Sequence, residues 1–362
     1  MIYLFLVAIN IFFNRVRGRW TIFSLLLVGE LIFLSGNPDP LTTADYMAYQ
    51  GEYQNKLLGY NSRFEWLYQK ITDVSIHYNL EYSQVRLILV SLFFLVMFIG
   101  VYRLTRNFSY YWILFSLGLF FIETIQIRSF GMISFVILGI SFLKNRKLWN
   151  YLLATFFIFL GTGLHSSGYL FLIVPIIHFF INPWRTSILK NALLFNLVVC
   201  GILIFSSTSG ASQVLAGLLN KVSNNSETAG NIALLYATGF SQSTILLLAA
   251  FIIPLIYLIM ILKQHNFLLN QKSVPAVLSL IVATMIGIPL LILSNQYDRV
   301  LREGMMGMLI LMAIIKDSNG NSITINKNYY FEVLYFIFIF VFLGGVKNSF
   351  VFQNIFHYIH LT

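Results

Sequence analysis

The chain has 362 residues, of which 58% are hydrophobic and only 10% are charged. A soluble globular domain carries about 25% charged residues, so this composition excludes that class and indicates an integral membrane protein. The formal net charge of +10 does not imply a nucleic-acid partner, because basic residues beside membrane spans produce such an excess.

Apolar segments of helical length are spread over the whole chain. A helix needs roughly 17–25 apolar residues to cross a bilayer, and fewer where the bilayer thins. On this basis we predict about twelve spans, at 1–13, 20–35, 84–102, 109–122, 129–143, 149–164, 169–181, 191–206, 244–262, 274–294, 301–315 and 329–345. The first of these lacks a basic leader and a small-residue cleavage site, so we interpret it as a retained span. The sequence therefore predicts an all-α polytopic membrane protein with one membrane domain, 1–362.

Basic residues mark one side of the predicted helices. They fall in the connections RVRGR (15–19), RLTR (103–106), KNRK (144–147) and RTSILK (185–190), and at Lys263, Lys272, Lys316 and Lys327. By the positive-inside rule this side is cytoplasmic, which places most of the acids and both termini outside. The two long loops, 36–83 and 207–243, are also external, and loops beyond about 15 residues are usually functional or disordered. We therefore expect any chemistry to face outward.

Two outer junctions carry recessed arginines. Arg128 precedes the span 129–143, and the chain returns to the same face at His165. Because these spans cover only about 23 Å of a roughly 30 Å hydrocarbon core, both residues are expected below the outer headgroups. A charged residue at that depth is best accommodated in a water-filled cavity, and a basic one would attract anions. Arg299 and Arg302, three residues apart, share a helical face at the second junction.

Guanidinium groups suit phosphate oxygens, so these arginines predict a site for a lipid-linked phosphate or diphosphate. The alternative for each arginine is that it snorkels to the headgroups or pairs with a nearby acid. Those acids are Glu123, Asp298 and Glu303.

The first outer loop is rich in tyrosine and tryptophan. It reads NPDPLTTADYMAYQGEYQN and then GYNSRFEWLYQKITDVS, and such aromatic residues stack on sugars or favour membrane interfaces. The stretch from Phe64 to Val74 has the pattern of an amphipathic segment lying along the membrane surface. Asp45 and Glu65 are the candidate carboxylates here, and for each the alternative is a solvated acid or a helix cap.

Five short motifs follow one another along the chain. They are ADYMAY, FEWLY, IRSF, LHSSGYLF and YDRVLR, between about residues 37 and 302. In this order they resemble the EpsG family, which contains the Wzy-type polymerases of bacterial exopolysaccharide, capsule and O-antigen. The chain departs from the family pattern at Ser129, where we expect glutamine, and at TTADY, where Asn-Asp is commoner. These departures concern substrate detail.

The resemblance implies an inverting glycosyltransferase of the membrane GT-C type, in the bacterial cytoplasmic membrane with its active site facing outward. Such an enzyme joins oligosaccharide repeat units carried on undecaprenyl diphosphate. The growing chain leaves its lipid carrier and passes to the non-reducing end of an incoming unit. Membrane lipid, a chain-length regulator and a flippase of the same pathway are the implied partners, and no nucleic acid is implied.

The candidate site residues divide between three roles. Arg128, Arg299 and Arg302 are expected to stabilise the departing diphosphate in place of a divalent metal. The outer loops contain no Asp-x-Asp motif, so we predict neither a metal nor a cofactor. The attacking hydroxyl needs a base, for which the candidates are Glu65, Asp45 and His165, and the sequence leaves open whether His165 binds diphosphate instead. The predicted sugar contacts are Tyr46, Tyr49, Trp66 and Tyr297.

Three other functions fit parts of the pattern. A transporter of lipid-linked oligosaccharide should carry polar residues through the inner half of its spans, whereas the mid-span charge here is little more than Glu30. An O-antigen ligase or another polyprenyl-linked sugar transferase shares the donor and the site chemistry, so the sequence does not separate it from a polymerase. A non-catalytic scaffold would tolerate the loss of any single arginine.

Overall fold

The structure is a computed structural model that describes residues 2–17, 21–41, 43, 45–123, 125–180, 186–207, 242–293, 297–318 and 332–335. Within these ranges the regular elements are all helical, as the sequence predicts, and no β-strand occurs. The predicted outer loop 207–243 lies outside the described residues except at its two ends. The same holds for most of the predicted span 329–345.

The helices follow the predicted apolar runs and the first outer loop. In chain order they are α1 (Ile2–Arg17), α2 (Thr21–Gly36), α3 (Tyr46–Leu57), α4 (Trp66–His77), α5 (Tyr82–Leu104), α6 (Phe108–Leu117), α7 (Phe120–Glu123), α8 (Ile127–Phe142), α9 (Leu148–Thr162), α10 (Ile173–Phe180), α11 (Thr186–Ser207), α12 (Gln242–Gln264), α13 (Ser273–Thr284), α14 (Gly287–Leu293) and α15 (Asp298–Ser318). The 3₁₀ segments Ser166–Leu172 and Asn266–Asn270 precede α10 and α13.

Three helical segments are long and apolar enough to cross a membrane by length and composition. They are Tyr82–Leu104, Ile245–Gln264 and Ser273–Leu291. Shorter apolar helices coincide with other predicted spans, at Ile2–Asn14, Ile22–Gly36, Phe108–Leu117, Ile127–Phe142, Leu148–Thr162, Ser166–Phe180 and Ser187–Ile202. The chain is therefore a helical membrane protein, and the number of spans stays a prediction.

Helix α8 packs closely against both α5 and α9. Glycines allow this approach, because a Cβ atom added at Gly100 would lie 2.8 Å from the backbone nitrogen of Leu138. A Cβ atom at Gly139 would likewise lie 2.8 Å from the carbonyl oxygen of Ala154. Small residues at helix crossings are typical of membrane bundles, where packing replaces the hydrophobic effect as the main attraction between helices.

The segment predicted as the first outer loop folds into a two-helix cap formed by α3 and α4. The ion pair between Lys56 and Asp73 joins the two helices with an N–O distance of 3.1 Å. The amides of Leu67 and Tyr68 donate to the carbonyl oxygen of Gly163, at 2.9 and 3.0 Å. Most of the predicted amphipathic segment, Phe64 to Val74, lies in α4, and the first turn of this helix is docked on the C-terminal end of α9.

Candidate active site

Arg128 lies in the first turn of α8, beneath the cap. Its Nη1 atom is hydrogen-bonded and ion-paired to the carboxylate of Glu65, directly before α4. Its guanidinium carbon lies 3.9 Å from the ring centre of Phe64, 5.6 Å from that of Tyr49 and 6.0 Å from that of Tyr68. A cation within about 6 Å of an aromatic ring is attracted to it, so this guanidinium lies against an aromatic cluster of the cap.

Glu65 connects α8 to the turn that follows α9. One of its oxygens contacts Arg128, and the other, Oε1, accepts a hydrogen bond of 2.9 Å from the amide of Ser166. The side chain of Glu65 is 20% exposed and that of Arg128 is 16% exposed. Both remain accessible to water at the edge of the cap, as a site for a solvated substrate requires.

His165 lies in the same turn and contacts Arg299, which belongs to the first turn of α15. The distance from Nη1 of Arg299 to Nε2 of His165 is 3.0 Å. A guanidinium group only donates hydrogen bonds, so Nε2 is the acceptor in this contact. On the other side of the ring, Nδ1 contacts Ser167, at 2.9 Å from its Oγ atom and 3.2 Å from its amide nitrogen.

Electrostatics keep His165 uncharged. Burial and the positive charges of Arg128 and Arg299 lower the pKa of its imidazole to about 3. The histidine is therefore neutral at physiological pH. The imidazole of His165 accepts a hydrogen bond from Arg299. The positive charges of Arg128 and Arg299 both act on this ring.

Arg302 also belongs to α15, but its side chain is more deeply buried than that of Arg299. Only 2% of its side chain is exposed, and its Nη1 atom donates to Oε1 of Glu123 at 2.8 Å. Its Nη2 atom donates to Oε1 of Gln126 at 3.1 Å and lies 3.6 Å from a carboxylate oxygen of Asp298. The pairing with Glu123 and Asp298 matches the alternative that the sequence left open. Arg302 thus links α15 to the α7–α8 turn rather than facing open solvent.

The remaining predicted residues are distributed around this centre. Asp45 is exposed and adopts a left-handed backbone conformation, with a φ of 65°, directly before α3. Tyr46 and Tyr49 are buried in the cap, whereas Trp66 is 43% exposed and Tyr297 is partly exposed. The catalytic and sugar-binding roles of these residues stay predictions.

Sequence reasoning missed three contributors to the site. The rings of Tyr68 and Phe64 lie against the guanidinium of Arg128. The sequence feature that could have indicated them is their position beside Glu65 in the amphipathic stretch. Glu303 is fully buried and accepts a hydrogen bond of 3.3 Å from Oγ of Ser129. Glu303 was considered only as a partner for an arginine, and no sequence pattern indicated its contact with α8.

Metal ligands do not cluster in the described part of the chain. No group of three or more His, Cys, Asp or Glu side chains there is arranged to hold a metal ion. Positive charge near Glu65 and His165 is supplied by Arg128 and Arg299. Two partly exposed guanidinium groups of this kind can bind an anion with several oxygens, such as a phosphate or diphosphate.

Comparison with known proteins identifies one match. A sequence model of the EpsG family matches residues 21–360, which is nearly the whole chain. The matched range includes every candidate site residue from Asp45 to Arg302. No curated protein and no solved structure matches the chain significantly.

Proposed function

Because the chain belongs to the EpsG family of Wzy-type polysaccharide polymerases, we propose that it joins oligosaccharide repeat units carried on undecaprenyl diphosphate. The reaction is an inverting glycosyl transfer at the outer face of the bacterial cytoplasmic membrane. The fold is a GT-C-like membrane domain with about twelve spans. The polymer serves as exopolysaccharide, capsule or O-antigen.

The observation that carries this proposal is the convergence of Arg128 and Arg299 on one turn, around Glu65 and His165. In the reaction, the bond between the anomeric carbon and the diphosphate oxygen breaks while the acceptor oxygen forms its new bond to that carbon. The diphosphate leaves with the bonding electrons, so negative charge grows on its oxygens. Fixed cations aimed at that charge lower the barrier, and we assign this role to Arg128 and Arg299.

The proton of the attacking hydroxyl passes to a carboxylate. Glu65 is the base we favour, because it stands beside Arg128 and is partly exposed. Asp45, in the same cap, is the second candidate. His165 is less suited to the role, because its Nε2 lone pair already accepts from Arg299. We assign His165 to orienting Arg299, and Arg302 to supporting the α7–α8 turn from which Arg128 projects.

The substrates and partners follow from this chemistry. Both donor and acceptor are undecaprenyl-diphosphate-linked oligosaccharides, reached from the surrounding lipid. Trp66 and Tyr297, which retain exposed surface, are the aromatic residues best placed to contact sugars, whereas Tyr46 and Tyr49 are buried in the cap. A flippase that delivers the repeat unit and a chain-length regulator are the expected protein partners.

Purified protein supplied with a synthetic undecaprenyl-diphosphate repeat unit tests the proposal. A polymerase produces a ladder of chain lengths, a ligase requires a second lipid acceptor, and a transporter makes no new glycosidic bond. Activity should persist in EDTA, because arginines replace the metal.

Substitution of the arginines tests the site itself. Arg128→Lys should lower kcat about 10²–10³-fold, the usual cost of losing one oriented donor to a developing anion, since lysine cannot make the paired contact. Arg63→Lys is the matched control, because Arg63 lies in the same loop region, is 64% exposed and pairs with Glu52. Equal activity in both variants would refute the assignment of Arg128.

A further inference from the structure

Two arginine–carboxylate pairs of the site differ in their access to water. The pair of Arg302 and Glu123 is closed, with 2% and 1% of the side chains exposed. The pair of Arg128 and Glu65 keeps 16% and 20% exposure. An anion arriving from solvent can therefore compete for Arg128, whereas Arg302 is shielded from exchange.

Each oxygen of Glu65 makes one contact in the structure. Oε2 contacts the guanidinium of Arg128, and Oε1 accepts from the amide of Ser166. Each oxygen keeps a second lone pair, but the negative charge of Glu65 is shared with Arg128 while the ion pair lasts. The carboxylate can therefore attract the proton of the acceptor hydroxyl with its full charge only after the contact with Arg128 opens.

Carboxylates and phosphates bind a guanidinium through the same planar set of N–H groups. We propose that Glu65 occupies on Arg128 the position that a phosphate oxygen of the donor takes during the reaction, an inference that rests on the function proposed above. Binding of the donor diphosphate displaces Glu65 and frees it to accept the proton of the incoming hydroxyl. The reaction then has a compulsory order, with the donor bound before the acceptor is activated.

The surroundings of the pair suit an exchange of this kind. The rings of Phe64, Tyr49 and Tyr68 also contact the guanidinium of Arg128, so the carboxylate is not its only neighbour in the cap. The backbone beside Glu65 is fixed independently, because the amides two and three residues further on are bonded to the end of α9. The carboxylate can therefore move by side-chain rotation alone and remain within the site.

The inference predicts that replacing Glu65 strengthens the binding of undecaprenyl diphosphate. Undecaprenyl diphosphate without sugar is titrated into the purified full-length protein in lipid nanodiscs. Glu65→Gln removes the competing charge and should tighten binding about fivefold, the value of a modest ion pair, while turnover is lost. Glu52→Gln is the control, since Glu52 pairs with Arg63 in the same cap region, and its affinity should equal that of the unmodified protein.

Three results have distinct meanings. Weaker or unchanged binding in Glu65→Gln, with binding still dependent on Arg128, overturns the displacement and leaves the proposed function standing. If Arg128→Ala binds undecaprenyl diphosphate as well as the unmodified protein, the diphosphate site itself is wrong. Tighter binding in Glu65→Gln together with loss of affinity in Arg128→Ala supports both.

Acceptor binding to the unmodified protein provides a test that does not depend on any variant folding. A lipid-free acceptor oligosaccharide should bind more tightly when undecaprenyl diphosphate is present, because the freed carboxylate of Glu65 then accepts a hydrogen bond from the attacked hydroxyl. An analogue that lacks this hydroxyl should show no such gain. Equal affinities of the intact acceptor with and without undecaprenyl diphosphate would overturn the displacement.

Discussion

Nη1 of Arg299 lies 3.0 Å from Nε2 of His165, across 134 positions of the sequence. Since arginine always donates, this contact uses the lone pair that a histidine base would need. Under the proposed function, His165 is therefore a positioning residue for Arg299, and proton removal is assigned to a carboxylate of the cap.

This assignment makes a prediction about two substitutions of His165. The amide oxygen of His165→Gln can replace Nε2 as the acceptor for Arg299, so this variant should keep kcat within about threefold of the unmodified protein. His165→Ala should lose about tenfold or more, the usual value of a hydrogen bond to a charged group. The measurement is the rate from pH 5 to 9, and the profiles of the active proteins should have the same shape. If Gln and Ala are equally inactive, His165 is the base.

The lowered pKa of His165 also predicts how stability depends on pH. Its imidazole has a pKa of about 3 in the folded protein and about 6.5 in an unfolded chain. Between these values the unfolded state binds more protons, so this residue destabilises the fold progressively as pH falls below about 6.5. In detergent, the melting temperature of His165→Gln should fall less steeply from pH 7 to 5 than that of the unmodified protein. Parallel curves would show that His165 titrates normally in the folded state.

The buried pair of Arg302 and Glu123 predicts a large effect on stability. Removing one member of such a pair leaves an uncompensated buried charge, which costs about 3–5 kcal/mol. Arg302→Met and Glu123→Met should each lower the melting temperature strongly, and the double variant should lose less than the sum of the two. Arg63→Met breaks an exposed pair and should cost about 0–1 kcal/mol. Additive losses in the double variant would show that the two side chains do not depend on each other.

The sequence predicted which residues would share one end of the helices but did not predict all of their partners. Hydropathy and loop charge placed Arg128, His165 and Arg299 on a common face, and the structure joins them through one turn. The contact of Arg128 with Glu65 depends on how the cap docks on α9, and this long-range packing leaves no local periodic signal. The membership of the chain in the EpsG family agrees with the motif order.

Helix geometry explains the differing environments of Arg299 and Arg302. Residues three apart on an α-helix point about 60° away from each other. The prediction that Arg299 and Arg302 share a helical face did not take this angle into account. That rotation aims Arg299 at the turn containing His165 and buries Arg302 against the α7–α8 turn. The sequence shows that Arg299 and Arg302 are three residues apart. Which of the two arginines remains accessible to a ligand depends on the residues packed around them, and the sequence pattern does not give these.

The docking of the cap can be tested at one glycine. A Cβ atom added at Gly163 would lie 2.6 Å from both Cβ of Leu67 and the indole ring of Trp66. Gly163→Ala should therefore push the start of α4 away from α9 and separate Glu65 from the amide of Ser166. Overpacking of this kind costs about 1–3 kcal/mol.

Activity should respond to Gly163→Ala more strongly than stability does, because the displaced segment holds the proposed base and aromatic rings that contact Arg128. We expect a loss of about tenfold or more in kcat, since a shift of about 1 Å at an active site can cost 10²-fold. The matched control is Gly51→Ala on α3, where an added Cβ meets nothing within 4 Å and activity should be retained. Full activity in Gly163→Ala would mean that the position of the cap relative to α9 does not matter for the reaction. The link that Glu65 makes between Arg128 and the turn of His165 would then not be required for the reaction.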